Sequence, residues 1–171
     1  MQGRVADKFG LRMAVFSLLL LFAANSSFGQ SVHDEGAERT SVLSVVQAFF
    51  DTMATRDVEK ARSILVADGS FHSIQLQDGK LVRRDFTNQS YLDDLPKGTV
   101  RLRERIWNPE VRIHGPIATV WAPYDFWKDG VLSHCGIDAF DLVKGEDGWR
   151  IAGGVYTKES TCGTSPLGPL K

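Results

Sequence analysis

Residues 131–159 read VLSHCGIDAFDLVKGEDGWRIAGGVYTKE. Two extended runs flank the turn signal Gly145-Glu146-Asp147-Gly148. Working backwards, Lys128-Asp129-Gly130 separates the first of these runs from another at 117–127. Gly115-Pro116 separates that one from a run at about 99–114, long enough to need a bend at Asn108-Pro109. Four extended stretches in sequence between Thr99 and Lys158, most joined by tight turns, predict an antiparallel meander.

Upstream the periodicity changes. Val42, Val45, Val46, Phe49, Phe50 and Met53 recur at helical spacing from about Ser41, giving a broad apolar stripe. Thr55-Arg56-Asp57 breaks it, and Asp57 is placed to cap a second helix, VEKARSILV, that Asp68-Gly69 would stop. Phe71–Gln77 and Lys80–Arg84 flank Asp78-Gly79, a hairpin signal. A short third helix over about Thr87–Leu95 ends at Pro96-Lys97-Gly98. Helices gathered ahead of a run of strands predict an α+β fold, with the helices packed on one face of a strongly curved antiparallel sheet. Such a cone leaves a cavity at its open end, where small ligands commonly sit.

The 171 residues predict one folded domain over 41–158, a flexible leader over 30–40 and a Gly/Pro-rich tail over 159–171. Arg4, Lys8 and Arg12 precede the apolar run Met13–Ala24, and Ser27-Phe28-Gly29 suits a small-residue cleavage site. That is a secretory signal peptide over 1–29, with an apolar run too short for a stable membrane span. The expected location is periplasmic or secreted. Cleavage takes three basic residues and one acidic residue from 20 Lys/Arg and 21 Asp/Glu, leaving 17 and 20, a net charge of −3. No basic block remains, and alternate Arg101, Arg103 and Arg105 read as solvated edge charges, so nucleic-acid binding is not expected. The two cysteines, Cys135 in a strand and Cys162 in the tail, are expected to form a disulfide in an oxidising compartment.

The helices around FFDTMATRDVEKARSILV, the hairpin and the closing pair VLSHCGIDAFDLV–GEDGWRIAGGVYT resemble the nuclear transport factor 2-like superfamily over about residues 41–158. Within it, the chain looks most like the exported bacterial lumazine-binding or polyketide-cyclase-like (SnoaL-like) branch. The telling pieces, Phe49-Phe50 before the Arg-Asp break and the GWRI opening of the last strand, are fold markers. The resemblance implies a cystatin-like cone and, in relatives such as ketosteroid isomerase and scytalone dehydratase, acid–base chemistry by pocket Asp, Tyr or His residues. The isomerase's tyrosine and paired aspartates have no clear counterparts in the sequence.

In the run 131–144 the even positions carry His134, Gly136, Asp138, Phe140 and Leu142, a mainly apolar row with two ionisable interruptions. This set is expected to face inward, the odd positions being the alternative. His134 and Asp138 lie about 13 Å apart along a strand and need partners from elsewhere. His72 interrupts another apolar row with Ile74 and Leu76, and is expected to converge on the same cavity. Asp138 beside an imidazole would raise its pKa and poise a general acid or base. The candidate catalytic residues are therefore His134 and Asp138, and the candidate pocket residues His72, Trp121, Tyr124 and Phe140. No HxH or HxxxH spacing supports a metal site, and no cofactor is expected. The leading expectation is an exported, homodimeric protein binding a small apolar or aromatic molecule. The alternatives are a cofactor-independent dehydratase or isomerase, and a protein-interaction module working through its sheet. For the last, Gly136→Leu would fill the pocket without disturbing the partner surface.

Overall fold

The computed structural model describes residues 27–170. Helix α1 (Ser27–Thr55) and helix α2 (Val58–Ile64) lead into strand β1 (Leu65–Gln77) and strand β2 (Lys80–Thr87). Helix α3 (Asn88–Asp94) and a 3-10 turn (Leu95–Lys97) follow. Then come β3 (Leu102–Ile106), β4 (Glu110–His114), β5 (Ile117–Lys128), β6 (Val131–Gly145) and β7 (Gly148–Thr157). One sheet runs β2-β1-β7-β6-β5-β3, with β4 also on β5. It curls around α1 without closing. Among the described residues no helix is long and apolar enough to cross a membrane.

The α1 stripe explains the curl. Val42, Val46, Phe49, Phe50 and Met53 are buried against inward side chains of β1, β5, β6 and β7. The helix stops where Arg56 turns to a positive φ of 61°, and Asp57 caps α2 by accepting from Lys60 N at 2.9 Å. Thr87 caps α3 by accepting from Ser90 N at 3.0 Å.

Several details differ from the sequence-based expectations. The strands pair antiparallel except for β1 and β7, which run parallel, so the sheet is mixed. The run expected at 99–114 is two strands, both on β5, with the bend at Asn108 (φ 46°). Asp68-Gly69 does not stop α2; the helix passes into β1 at Leu65, and this dipeptide falls where the β1–β7 register shifts. Residues 30–40, expected as a flexible leader, belong to α1. Glu38 holds them by accepting from Lys144 Nζ at 2.6 Å and Trp149 Nε1 at 2.8 Å. The expected signal peptide lies, but for its last three residues, outside the described residues.

The tail also packs. Cys135 and Cys162 are disulfide-bonded, with Cα atoms 5.8 Å apart. Arg105 is no solvated edge charge: it grips Asp125 through two hydrogen bonds of 2.9 and 2.6 Å and donates to Gly168 O at 2.8 Å. The 159–170 segment is thereby pinned over the outer face of β5 and β6.

Candidate functional site

Strand register arranges the inner face of the cone in lines. One line crosses five strands as Phe86, Phe71, Gly154, Phe140 and Val120. Because Gly154 has no side chain, Phe71 and Phe140 meet edge to face over it, with centroids 6.0 Å apart. Phe49 stacks on Phe71 at 5.4 Å, and Phe71 on Phe86 at 5.6 Å. This half of the cone is an aromatic core.

The next line, two residues along, is polar: Arg84, Ser73, Tyr156, Asp138 and Ala122. Beyond it Gly136, Tyr124 and Ile106 form a third line, and His134, Phe126 and Glu104 a fourth. Glu104 and Asp138 approach each other from β3 and β6, close enough that a proton on one carboxyl can bridge to the other. Asp138 Oδ2 is buried with no hydrogen-bond partner among the described residues. The two observations agree if one proton is shared, since one carboxylic acid can donate to the other carboxylate.

Electrostatics supports that reading. Burial is the main cause pushing the Asp138 carboxyl up to about 7, with its bond to Glu104 working the other way. Burial, then the Asp138 charge and the bond to Asp138, raise Glu104 well above the ordinary range. The two carboxyls titrate as a unit that keeps a proton above the ordinary carboxylate range. Tyr124 and Tyr156 stand beside them, both raised, first by burial and further by these carboxylates. The Tyr124 hydroxyl donates to Thr157 O at 2.7 Å.

His134 lies on the same face but bonds to neither carboxyl. Its ring stacks on Phe126 at 4.7 Å and meets Tyr124 edge-on at 5.8 Å, while Nδ1 contacts Ser133 Oγ at 3.1 Å. Burial, followed by the charges of Lys158 and Lys128, lowers its pKa to about 4. The imidazole is therefore neutral at pH 7, where a carboxylate neighbour would have raised its pKa. Burial, followed by the charges of Lys128 and Arg84, lowers the pKa of Lys158.

The inward set on β6 is the even one: His134, Asp138, Phe140 and Leu142 are buried. Two of the expected pocket residues point elsewhere. On β1 the odd residues Phe71 and Ser73 are buried, so His72 faces outward with its side chain 34% exposed. There its Nδ1 pairs with Asp85 Oδ1 at 2.8 Å, beside Arg83. Trp121 is 53% exposed on the convex face, because on β5 the even residues Ala118, Val120, Ala122 and Tyr124 take the inside. Phe140 belongs to the aromatic core. Gly136 cannot take a pocket-filling side chain: a Cβ there would lie 2.3 Å from Thr157 O. Gly136→Leu is expected to destabilise the fold by about 3 kcal/mol, read by urea unfolding, through overpacking against backbone. A midpoint unchanged from wild type would contradict this.

Glu104 was missed in the sequence, where it sits inside an arginine stripe. The available signal was the alternation Leu102, Glu104, Ile106, which puts a lone acid in an apolar row. Among the described residues no three His, Cys, Asp or Glu side chains converge as metal ligands would.

The carboxyl pair gives stability a pH dependence whose sign follows from linkage. Asp138 keeps its proton longer folded than unfolded, so its contribution is full below about pH 4 and is lost as pH rises through about 7. Glu104 acts in the same direction. His134 acts oppositely: its neutral form stabilises above pH 6.5, and that is lost as pH falls toward 4. Asp138→Asn supplies a permanent donor to Glu104 and removes a buried charge. It is expected to raise stability by about 2 kcal/mol at pH 8, and far less at pH 5. Denaturant unfolding of both proteins at the two pH values checks this; a variant less stable at pH 8 would refute it.

A long helix and two shorter ones held by a curled, unclosed sheet, with an inner face passing from aromatic to polar, define a nuclear transport factor 2-like α+β cone. The chain belongs to the family described as "Putative lumazine-binding", whose model matches residues 37–157. No curated protein matches it. Among solved structures it is similar to Rv3472, a protein of unknown function from Mycobacterium tuberculosis, at 18% identity and a TM-score of 0.62 over 76% of each chain. It is similar to the beta subunit of a "putative aromatic-ring-hydroxylating dioxygenase" from Novosphingobium aromaticivorans, at 14% identity and 0.60, over 81% of this chain and 99% of that one. A "putative dehydratase" from Streptomyces avermitilis gives 13% identity and 0.57, over 74% and 99%. At these identities the likeness is one of fold.

Proposed function

We infer that this chain is an exported binding protein for a small, flat molecule, held in the cone with its polar edge against Glu104 and Asp138. What carries the reading is the facing Glu104–Asp138 carboxyl pair, both raised by burial, with Asp138 Oδ2 left without a partner. Two enclosed acids lower stability at neutral pH, and groups retained at such a cost are commonly functional. When a ligand opens the contact between them, the pair can offer one donor and one acceptor side by side, which suits a ring edge carrying a carbonyl next to an N–H. Lumazine, the ring system in the family's description, has such an edge, and the half-buried rings of Phe126 and Tyr156 on neighbouring lines suit its flat body. Export is supported by the basic-then-apolar N-terminal sequence and the Cys135–Cys162 bridge. Pairing of two copies through the convex face is supported by the outward Trp121 and Val155.

A second reading is acid–base catalysis of a dehydration or isomerisation. What favours it is an Asp138 pKa near 7, suited to proton transfer at neutral pH. In that reading the pair is the proton carrier and His134 a neutral hydrogen-bonding neighbour.

Lumazine titrated into the purified protein at pH 6 and followed by calorimetry tests binding. Saturable heat that falls about tenfold in affinity in Asp138→Asn is expected. No binding by either lumazine or a co-purifying molecule in native mass spectrometry would sink the reading.

A further inference from the structure

The face of the sheet away from the Glu104–Asp138 pair carries a feature of its own. A cavity of about 200 Å³ lies on the other side of the sheet, between its outer face and the C-terminal tail. Trp107, Leu132 and Ile137 give it apolar walls, and the Cys135–Cys162 bridge closes one side. Asp125, only 2% exposed, lines its base, but the bidentate Arg105 neutralises that charge. Glu159 is different. This exposed residue lines the cavity's rim, its carboxylate accepts from the Thr157 hydroxyl at 3.3 Å, and among the described residues no cation pairs with it. The space is smaller than the roughly 300–1,000 Å³ typical of drug-sized ligands, so it fits about one ring with a short substituent.

We propose that this tail-roofed cavity is a second binding site, selective for a small aromatic ammonium ion, with Glu159 as its counter-charge and the Trp107 ring as its face. An ammonium between a carboxylate and an indole gains both ion pairing and cation–π attraction in a partly enclosed space. The apolar walls bury the ring. The tail's two anchors, the disulfide and the bond from Arg105 to Gly168 O, hold the roof in place before a ligand arrives, which limits the ordering cost of binding.

Benzylamine is the probe, with benzyl alcohol as its neutral analogue, and the Trp107 indole N–H resonance, assigned with Trp107→Phe, is the readout. Benzylamine is expected to shift that resonance saturably at millimolar concentration, and benzyl alcohol to bind about tenfold more weakly. Glu159→Gln should weaken benzylamine by about tenfold, whereas Glu146→Gln, on the distant β6–β7 turn, should leave it unchanged. Removing the roof's anchor in the Cys135→Ala, Cys162→Ala double variant should weaken it similarly. Equal binding of the amine and the alcohol, full binding by Glu159→Gln, or no saturable shift in the wild type would each overturn the proposal.

Discussion

Arg105→Ala is expected to lower folding stability by about 3–5 kcal/mol at pH 7, the cost of leaving a buried charge without its partner. Asp125 is 2% exposed and Arg105 16%. Burial alone would raise the Asp125 carboxyl, but hydrogen bonds from Arg105 and Ser165 overcome this and hold it below the usual range. Its stabilising share is therefore present above about pH 4 and lost as pH falls below that. In the variant the carboxyl takes up a proton more readily, so the gap from wild type should narrow in acid. Urea unfolding at pH 7 and pH 4 measures both numbers. The variant also loses the anchor at Gly168 O, so limited proteolysis should cut its tail sooner. A loss under 1 kcal/mol at pH 7 would mean that the pair is effectively solvated. Replacing both partners with apolar residues should cost much less than the single change, because no unpaired charge remains.

Phe140→Ala is expected to cost about 3–5 kcal/mol, the range for emptying a packed aromatic site. Phe140 meets Phe49 at 6.0 Å, Phe50 at 5.9 Å and Phe71 at 6.0 Å, each edge to face. These neighbours belong to α1 and β1, and none can collapse into the gap without moving an element. The same variant distinguishes a core residue from a pocket wall. Were Phe140 a wall open to ligand and solvent, truncation would cost nearer 1 kcal/mol and would mainly weaken binding. Thermal unfolding gives the answer, with a fall in Tm of well over 10 °C expected for a domain of this size.

The cone was legible because its determinants are local. The α1 stripe, the Asp57 and Thr87 caps and the turns at 128–130 and 145–148 each act through a few neighbouring residues, and the strands they bound lie close to where alternation puts them. The parallel β1–β7 pairing was not legible, since it joins residues some 80 positions apart and no turn announces it. The same limit explains the site. Asp138 stands out as an acid in an apolar row, but its partner Glu104 comes from β3, which joins β6 only through β5. His72 seemed to share their cavity because Ile74 and Leu76 appeared to mark an inner face. In fact Phe71 and Ser73 do, and Leu76 is exposed. A short alternating strand with apolar residues on both faces does not declare its inside. Trp121 misled similarly: a large aromatic suggested interior, whereas the small residues Ala118 and Ala122 take the crowded inner face.

The shared proton between Glu104 and Asp138 is the claim on which the functional reading stands, and the carboxyl carbons report on it directly. ¹³C-labelled side-chain carboxyl resonances, assigned with Glu104→Gln and Asp138→Asn, are followed from pH 3 to pH 9. The account predicts that the pair titrates in two separated steps, with one carboxyl still protonated at neutral pH and its titration lost or shifted down when the other is replaced. Two independent transitions near the ordinary carboxylate value of about 4 would contradict it.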